Sequence, residues 1–135
     1  MVTNSTCNYQ VDYSTITGER ILPFVFSLNM DDSILYPSEG EDQTFCYDIT
    51  AVGQDTSQYA DLSHFLFGIC NTITPDDIAE ISVSVNGEPQ TVVWGDNVEI
   101  KTAENPDNPT GCTGLKFDFP LDKLTGTMHV CFSLN

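Results

Sequence analysis

A chain of 135 residues is long enough for one domain that buries about two-thirds of its unfolded surface. Hydrophobic residues make up 40% of it, enough for a core and too many for a disordered segment. Twenty acidic residues against four basic ones leave a formal charge of −16. That field repels phosphate backbones and anionic headgroups, so nucleic acid and membrane surfaces are excluded as partners.

No apolar run reaches the roughly 20 residues of a membrane span, so no membrane insertion is expected. The first residues, "MVTNSTCNYQ", have neither the basic nor the apolar region of a signal peptide. A secreted protein with this start has lost its leader or leaves the cell another way, such as lysis at sporulation.

In chain order, short β-type runs alternate with turn signals, the pattern of a sandwich rather than of βαβ units. "CNYQVDY" places Cys7, Tyr9, Val11 and Tyr13 on one face. "RILPFVFSLN" turns Leu22, Phe24, Phe26 and Leu28 inward, with Pro23 marking an edge or a bulge. "QTFCYDITAV" turns Phe45, Tyr47 and Ile49 inward and Cys46 and Asp48 outward. "LSHFLFGIC" is apolar on both faces, as a central, doubly covered strand is. "ITPDDIAEI" is the one helical candidate: Thr74 as N-cap, Pro75 at the first position, Asp76 and Asp77 at the positive end of the dipole.

"ISVSVNGEPQTVVW" then reads as a hairpin turned by Asn86-Gly87, and Gly95-Asp96 turns the chain into "NVEIKT". "AENPDNPTG" is a loop held extended by Pro106 and Pro109. "GLKFDFPL" and "TMHVCFSL" close the domain, the latter with Met128, Val130, Phe132 and Leu134 on one face. The expected fold is all-β: a β-sandwich or jelly roll of about eight antiparallel strands with one short helical turn. Residues 1–18 form an N-terminal extended arm, which can serve as an inter-subunit strand, and residues 19–135 the sandwich.

Five cysteines point to an oxidising compartment, and none of their spacings is a CxxC pair. Because the count is odd, at least one of Cys7, Cys46, Cys70, Cys112 and Cys131 is a free thiol or bonds another chain. Cys70 and Cys112 sit at strand ends, where a bridge would pin the Pro-rich loop. Cys46 and Cys131 take outward positions, so they can pair across neighbouring strands or each face another subunit. Cys7 lies on the polar arm, placed to reach a neighbour.

Catalytic signals are weak. No GxSxG, HExxH or Walker motif occurs. On a strand Ser63 and His64 point to opposite faces, so they are not expected to form a nucleophile pair. His64 reads as a buried structural histidine and His129 as an exposed one. For metal, calcium takes roughly six to eight oxygens, largely from acidic loops. The candidate ligands are Asp31 and Asp32, and Glu104 and Asp107 in "ENPDNP". Otherwise no cofactor is expected. A further covalent alternative is an isopeptide bond at Lys101 or Lys116 beside a carboxylate.

Leu62-Ser63-His64-Phe65 and Thr110-Gly111-Cys112-Thr113-Gly114-Leu115-Lys116-Phe117-Asp118 resemble a β-sandwich domain of secreted and surface-exposed bacterial proteins. In those domains a Leu-Ser-His-aromatic strand precedes a Thr-Gly-x-x-Gly-Leu-Lys-aromatic-Asp segment. The resemblance covers roughly residues 44–134 and implies an extracellular structural or adhesive module, not an enzyme. With a cysteine-bearing arm on a single domain, the architecture is also similar to self-assembling subunits of extracellular fibres such as spore appendages.

The expected function is therefore a subunit of an extracellular filament or surface assembly, at a cell or spore surface. Its expected partner is itself, head to tail, through arm strand pairing by Tyr9, Val11 and Tyr13 and an inter-subunit disulfide. The alternative is a monomeric, calcium-dependent adhesion module for carbohydrate or a host protein. A hydrolase using His64 and an acidic partner ranks last.

Overall fold

A computed structural model describes residues 10–16, 18–108 and 111–135. Among the described residues nine strands form in chain order: β1 (Gln10–Asp12), β2 (Phe24–Leu28), β3 (Gln43–Ala51), β4 (Phe65–Phe67), β5 (Ile78–Val85), β6 (Glu88–Gln90), β7 (Val98–Lys101), β8 (Gly114–Phe117) and β9 (Thr127–Leu134). They make two antiparallel sheets. The large one has the order β1-β2-β3-β9-β5-β6, and the small one β4-β8-β7. The fold is thus all-β, with two isolated 3-10 turns at Tyr13–Thr15 and Pro75–Asp77.

Alternation along β3 and β9 decides the inner face. Ile49, Met128, Val130 and Phe132 are buried and meet Phe65, Val98, Leu115 and Phe117 of the small sheet. Burying each such side chain stabilises the fold by about 1.5–3 kcal/mol. Aromatic rings bridge the layers: Phe67 stacks on Tyr47 at 4.4 Å between centroids, and Phe26 meets Phe65 edge-on at 5.5 Å. The Asn86-Gly87 turn joins β5 to β6 with both residues at positive φ, 52° and 84°, as a type I′ turn requires. Asp77 closes the second 3-10 turn by accepting the Thr74 N–H at 2.8 Å.

Several elements depart from the sequence reading. "LSHFLFGIC" is not a central strand: only Phe65–Phe67 form a ladder, Leu62 makes an isolated bridge to Leu121, and β4 lies at the edge of the small sheet. Its apolar residues reflect packing between layers rather than cover on both faces. Pro23 stands at neither edge nor bulge. It is fully buried just ahead of β2, which lies between β1 and β3, so its missing N–H costs no ladder bond. The arm is also not separate along its length: Gln10, Val11 and Asp12 pair with Ser27, Phe26 and Val25 of the same chain. Tyr13 leaves the strand and packs edge-on against Phe26 at 5.4 Å. Cys7 and Tyr9 lie outside the described residues.

Gly114 opens β8 at φ +134°, where a Cβ would collide with the Phe67 carbonyl oxygen. Backbone here, not a flexible side chain, is in the way. Gly114→Ala is therefore expected to lower stability by more than about 1 kcal/mol and to loosen the β4–β8 pairing. Urea unfolding and amide exchange at Phe67 check this, and an unchanged midpoint would refute the close approach.

Candidate functional site

Three arrangements carry chemistry or recognition. The first ties the loop between β7 and β8 to the small sheet. Asp107 is fully buried, and Lys116 Nζ donates to its Oδ1 at 2.6 Å. His64 Nε2 lies 3.2 Å from its Oδ2, and Ser63 Oγ lies 3.1 Å from the other ring nitrogen of His64. The Asp107 backbone N–H donates to the Cys112 carbonyl at 2.9 Å. Asp118 stands 3.7 Å from Lys116. The hydrogen bond to Asp107 holds the Lys116 ammonium above its ordinary pKa of 10.5.

Ser63 and His64 therefore do converge, contrary to the opposite-face expectation. They precede β4 in irregular backbone, where the alternation of a strand does not apply. The result is a linear chain of polar contacts, Ser63–His64–Asp107–Lys116. Two cationic or ring donors occupy the Asp107 carboxylate, so it points into the fold instead of offering oxygens to calcium. Glu104 is exposed on the same loop. Asp32 turns to a histidine, while Asp31 is exposed beside it. Among the described residues no three of the acidic side chains gather as a set of metal ligands.

The second arrangement lies on the outer face of the large sheet. Cys46 and Cys131 are opposite each other on β3 and β9, with Cα atoms 4.1 Å apart, and are joined by a disulfide. Cys46 donates its backbone N–H to Ser33 Oγ, and its carbonyl accepts the Asn29 N–H. Both backbone groups thus serve the 29–33 loop, which leaves Cys46 and Cys131 as a close, non-hydrogen-bonded pair. The same loop covers Cys46, which is only 1% exposed although it occupies an outward position. Asn29 shapes that cover: its Oδ1 accepts the Asp32 N–H at 3.0 Å, and its Nδ2 donates to Asp48 at 3.0 Å.

His129 is not the free surface residue its polar face suggested. Its Nδ1 lies 2.7 Å from Asp48 Oδ1, while Nε2 lies 3.3 Å from Asp32 Oδ2 and 3.4 Å from Cys131 Sγ. The two-residue spacing of His129 and Cys131 on β9 puts both on one face, and Asp48 on β3 is opposite His129. That part of the cluster was legible from alternation. The Asp32 contact was not, because a loop delivers it.

The third is the open side of the sandwich. Three strands cannot cover six, so Phe26, Tyr47 and Phe67 remain only partly buried. A cavity of about 400 Å³ lies beside β4, lined by Val11, Tyr13, Phe26, Leu28, Tyr47 and Phe67 among others. Just beyond β4, Cys70 carries an exposed free thiol, so the expected Cys70–Cys112 bridge is not formed. Cys112 is exposed as well and, with His64, also borders the cavity. A hydrogen bond from the Thr72 hydroxyl, 3.2 Å from the Cys70 sulfur, lowers the thiol's pKa. No protein-family profile, curated protein or solved structure matches the chain.

Proposed function

We propose that the chain is a structural, non-enzymatic subunit that assembles head to tail with its own copies in an extracellular filament or surface layer. The observation that carries this is the edge position of β4, which among the described residues pairs only with β8, beside the apolar cavity. An edge strand presents unpaired N–H and C=O groups, and an extended segment from a neighbour can complete them. The nine residues ahead of β1 include Cys7 and Tyr9, the continuation of the alternating run that ends in Val11 and Tyr13.

A neighbour's segment laid along β4 would insert alternate side chains into the cavity. It would also bring Cys7 near Cys70, whose lowered pKa increases the reactive thiolate near neutral pH. A disulfide between them would make the contact permanent in an oxidising medium. Since donor segment and acceptor edge are different surfaces, the contact does not close on itself and can propagate. The charge of −16 opposes lateral bundling of the product.

Purified full chain is expected to form filaments by electron microscopy and a ladder on non-reducing electrophoresis. Removing residues 1–9 should leave monomers, while Cys7→Ser or Cys70→Ser should abolish the ladder and leave reversible assembly. Monomers of the intact chain under oxidising conditions would sink the proposal.

A further inference from the structure

Beyond assembly, we infer that reduction of the Cys46–Cys131 disulfide creates a zinc site made by Cys46, Cys131 and His129, with Asp32 as the fourth ligand. The sulfurs of the two cysteines and a ring nitrogen of His129 already lie within 4.8 Å of one another. Two thiolates, an imidazole and a carboxylate form a donor set that suits tetrahedral Zn²⁺.

The distances point the same way. Bond lengths of about 2.0–2.3 Å to zinc give tetrahedral edges of about 3.3 Å between N and O ligands, and about 3.5 Å between N and S. His129 Nε2 lies 3.3 Å from Asp32 Oδ2 and 3.4 Å from Cys131 Sγ, so two edges are close to ligand geometry while the sulfurs are still bonded. The sulfurs must separate, by rotation of the two side chains about their Cα–Cβ bonds, and the Asp32 carboxylate, which meets His129 but lies outside the 4.8 Å group, must swing toward them. The remaining contact is of the kind that orients a ligand: His129 Nδ1 lies 2.7 Å from Asp48 Oδ1. Donation of the Nδ1 proton to that carboxylate leaves Nε2 free for the metal. Asp32 and His129 are both partly open to solvent, which supplies the entry path.

The reductant is a cellular thiol. Its thiolate attacks one sulfur of the disulfide, and a second thiol resolves the mixed disulfide, so two electrons and two protons arrive as the reductant is oxidised to its own disulfide. Zinc then displaces the two thiol protons. The same two strands are held in either state, by a covalent bond when oxidised and by the ion when reduced.

Cobalt(II) titration of the full chain, reduced and then freed of reductant under anaerobic conditions, tests this. One equivalent should produce the thiolate-to-cobalt charge-transfer band and the intense visible bands of a tetrahedral site. One equivalent of zinc should bleach them and raise the melting temperature of the reduced protein. The oxidised protein should show no such bands.

Cys7, Cys70 and Cys112 remain in Cys46→Ser/Cys131→Ser, which should lose the spectrum. His129→Gln should lose at least about tenfold in affinity, and Asp48→Asn about 10–100-fold. His129→Gln keeps both cysteines and so separates loss of a ligand from failure to fold. A reduced wild type without the bands, or bands unchanged in His129→Gln, would overturn the site.

Discussion

Lys116→Met is expected to destabilise the protein by about 3–5 kcal/mol, because it strips the closest partner from a fully buried carboxylate. His64 would still face Asp107, at 3.2 Å. The penalty belongs to the buried charge that loses its ammonium more than to the lost pair. The double variant Lys116→Met/Asp107→Leu should therefore recover much of the loss, since apolar replacement of a buried pair is often neutral. Urea denaturation of wild type, both single variants and the double variant closes the cycle. Additive losses in that cycle would mean that the pair contributes nothing.

The same pair makes stability depend on pH at the alkaline end. The Lys116 ammonium is held above its ordinary pKa of 10.5 by its bond to Asp107. A raised folded-state pKa means that the folded chain keeps a proton the unfolded chain releases. The stabilisation is then full below 10.5 and is lost as pH rises through the folded value. Melting temperatures from pH 8 to 12 should fall more steeply for wild type than for Lys116→Met; parallel curves would contradict the assignment.

Removing the cross-strand disulfide is the other large effect. Cys46 and Cys131 are 85 residues apart, and the chain-entropy treatment assigns a loop of that size about 4–5 kcal/mol. Cys46→Ala/Cys131→Ala should lose an amount of that order while keeping the sheet register. Neighbouring pairs on β3 and β9, such as Tyr47 with Val130, hold it independently. If the bond acts mainly by restraining the unfolded chain, the variant should also show a larger dependence of unfolding free energy on urea, because more surface becomes exposed. A loss below about 1 kcal/mol would show that strain or residual structure cancels the constraint.

These effects concern contacts between residues 9 and 85 positions apart, and that separation marks where sequence reading stops. Lys116 and Asp107 lie in one local stretch. Yet nothing in "ENPDNP" distinguishes a carboxylate facing solvent and calcium from one turned inward against a lysine. Composition of a loop carries no sign of its direction. Ser63 and His64 converge for a related reason: they lie ahead of β4 and never enter the strand, so the alternation of strand side chains does not separate them.

What was legible rests on local physics. The two-residue period on β3 and β9 separates Ile49, Val130 and Phe132 from Cys46, His129 and Cys131, because successive side chains of a strand must point to opposite faces. Asn86-Gly87 announces its hairpin because positive φ at both positions strongly favours those residues. Five cysteines and the density of turns point to an all-β, disulfide-bearing domain before any contact is known.

Tertiary structure alone decided which strands became neighbours, and with that which outward residues met. The Cys46–Cys131 bond exists because β9 inserts beside β3. The Asp32–His129 contact exists because the 29–33 loop folds over that pair. β4 is an edge strand because its partner β8 pairs with β7 on the other side. Strand pairing between distant segments is settled by the burial of a shared core and the closure entropy of the loops between them, neither of which is encoded in any short stretch of the chain.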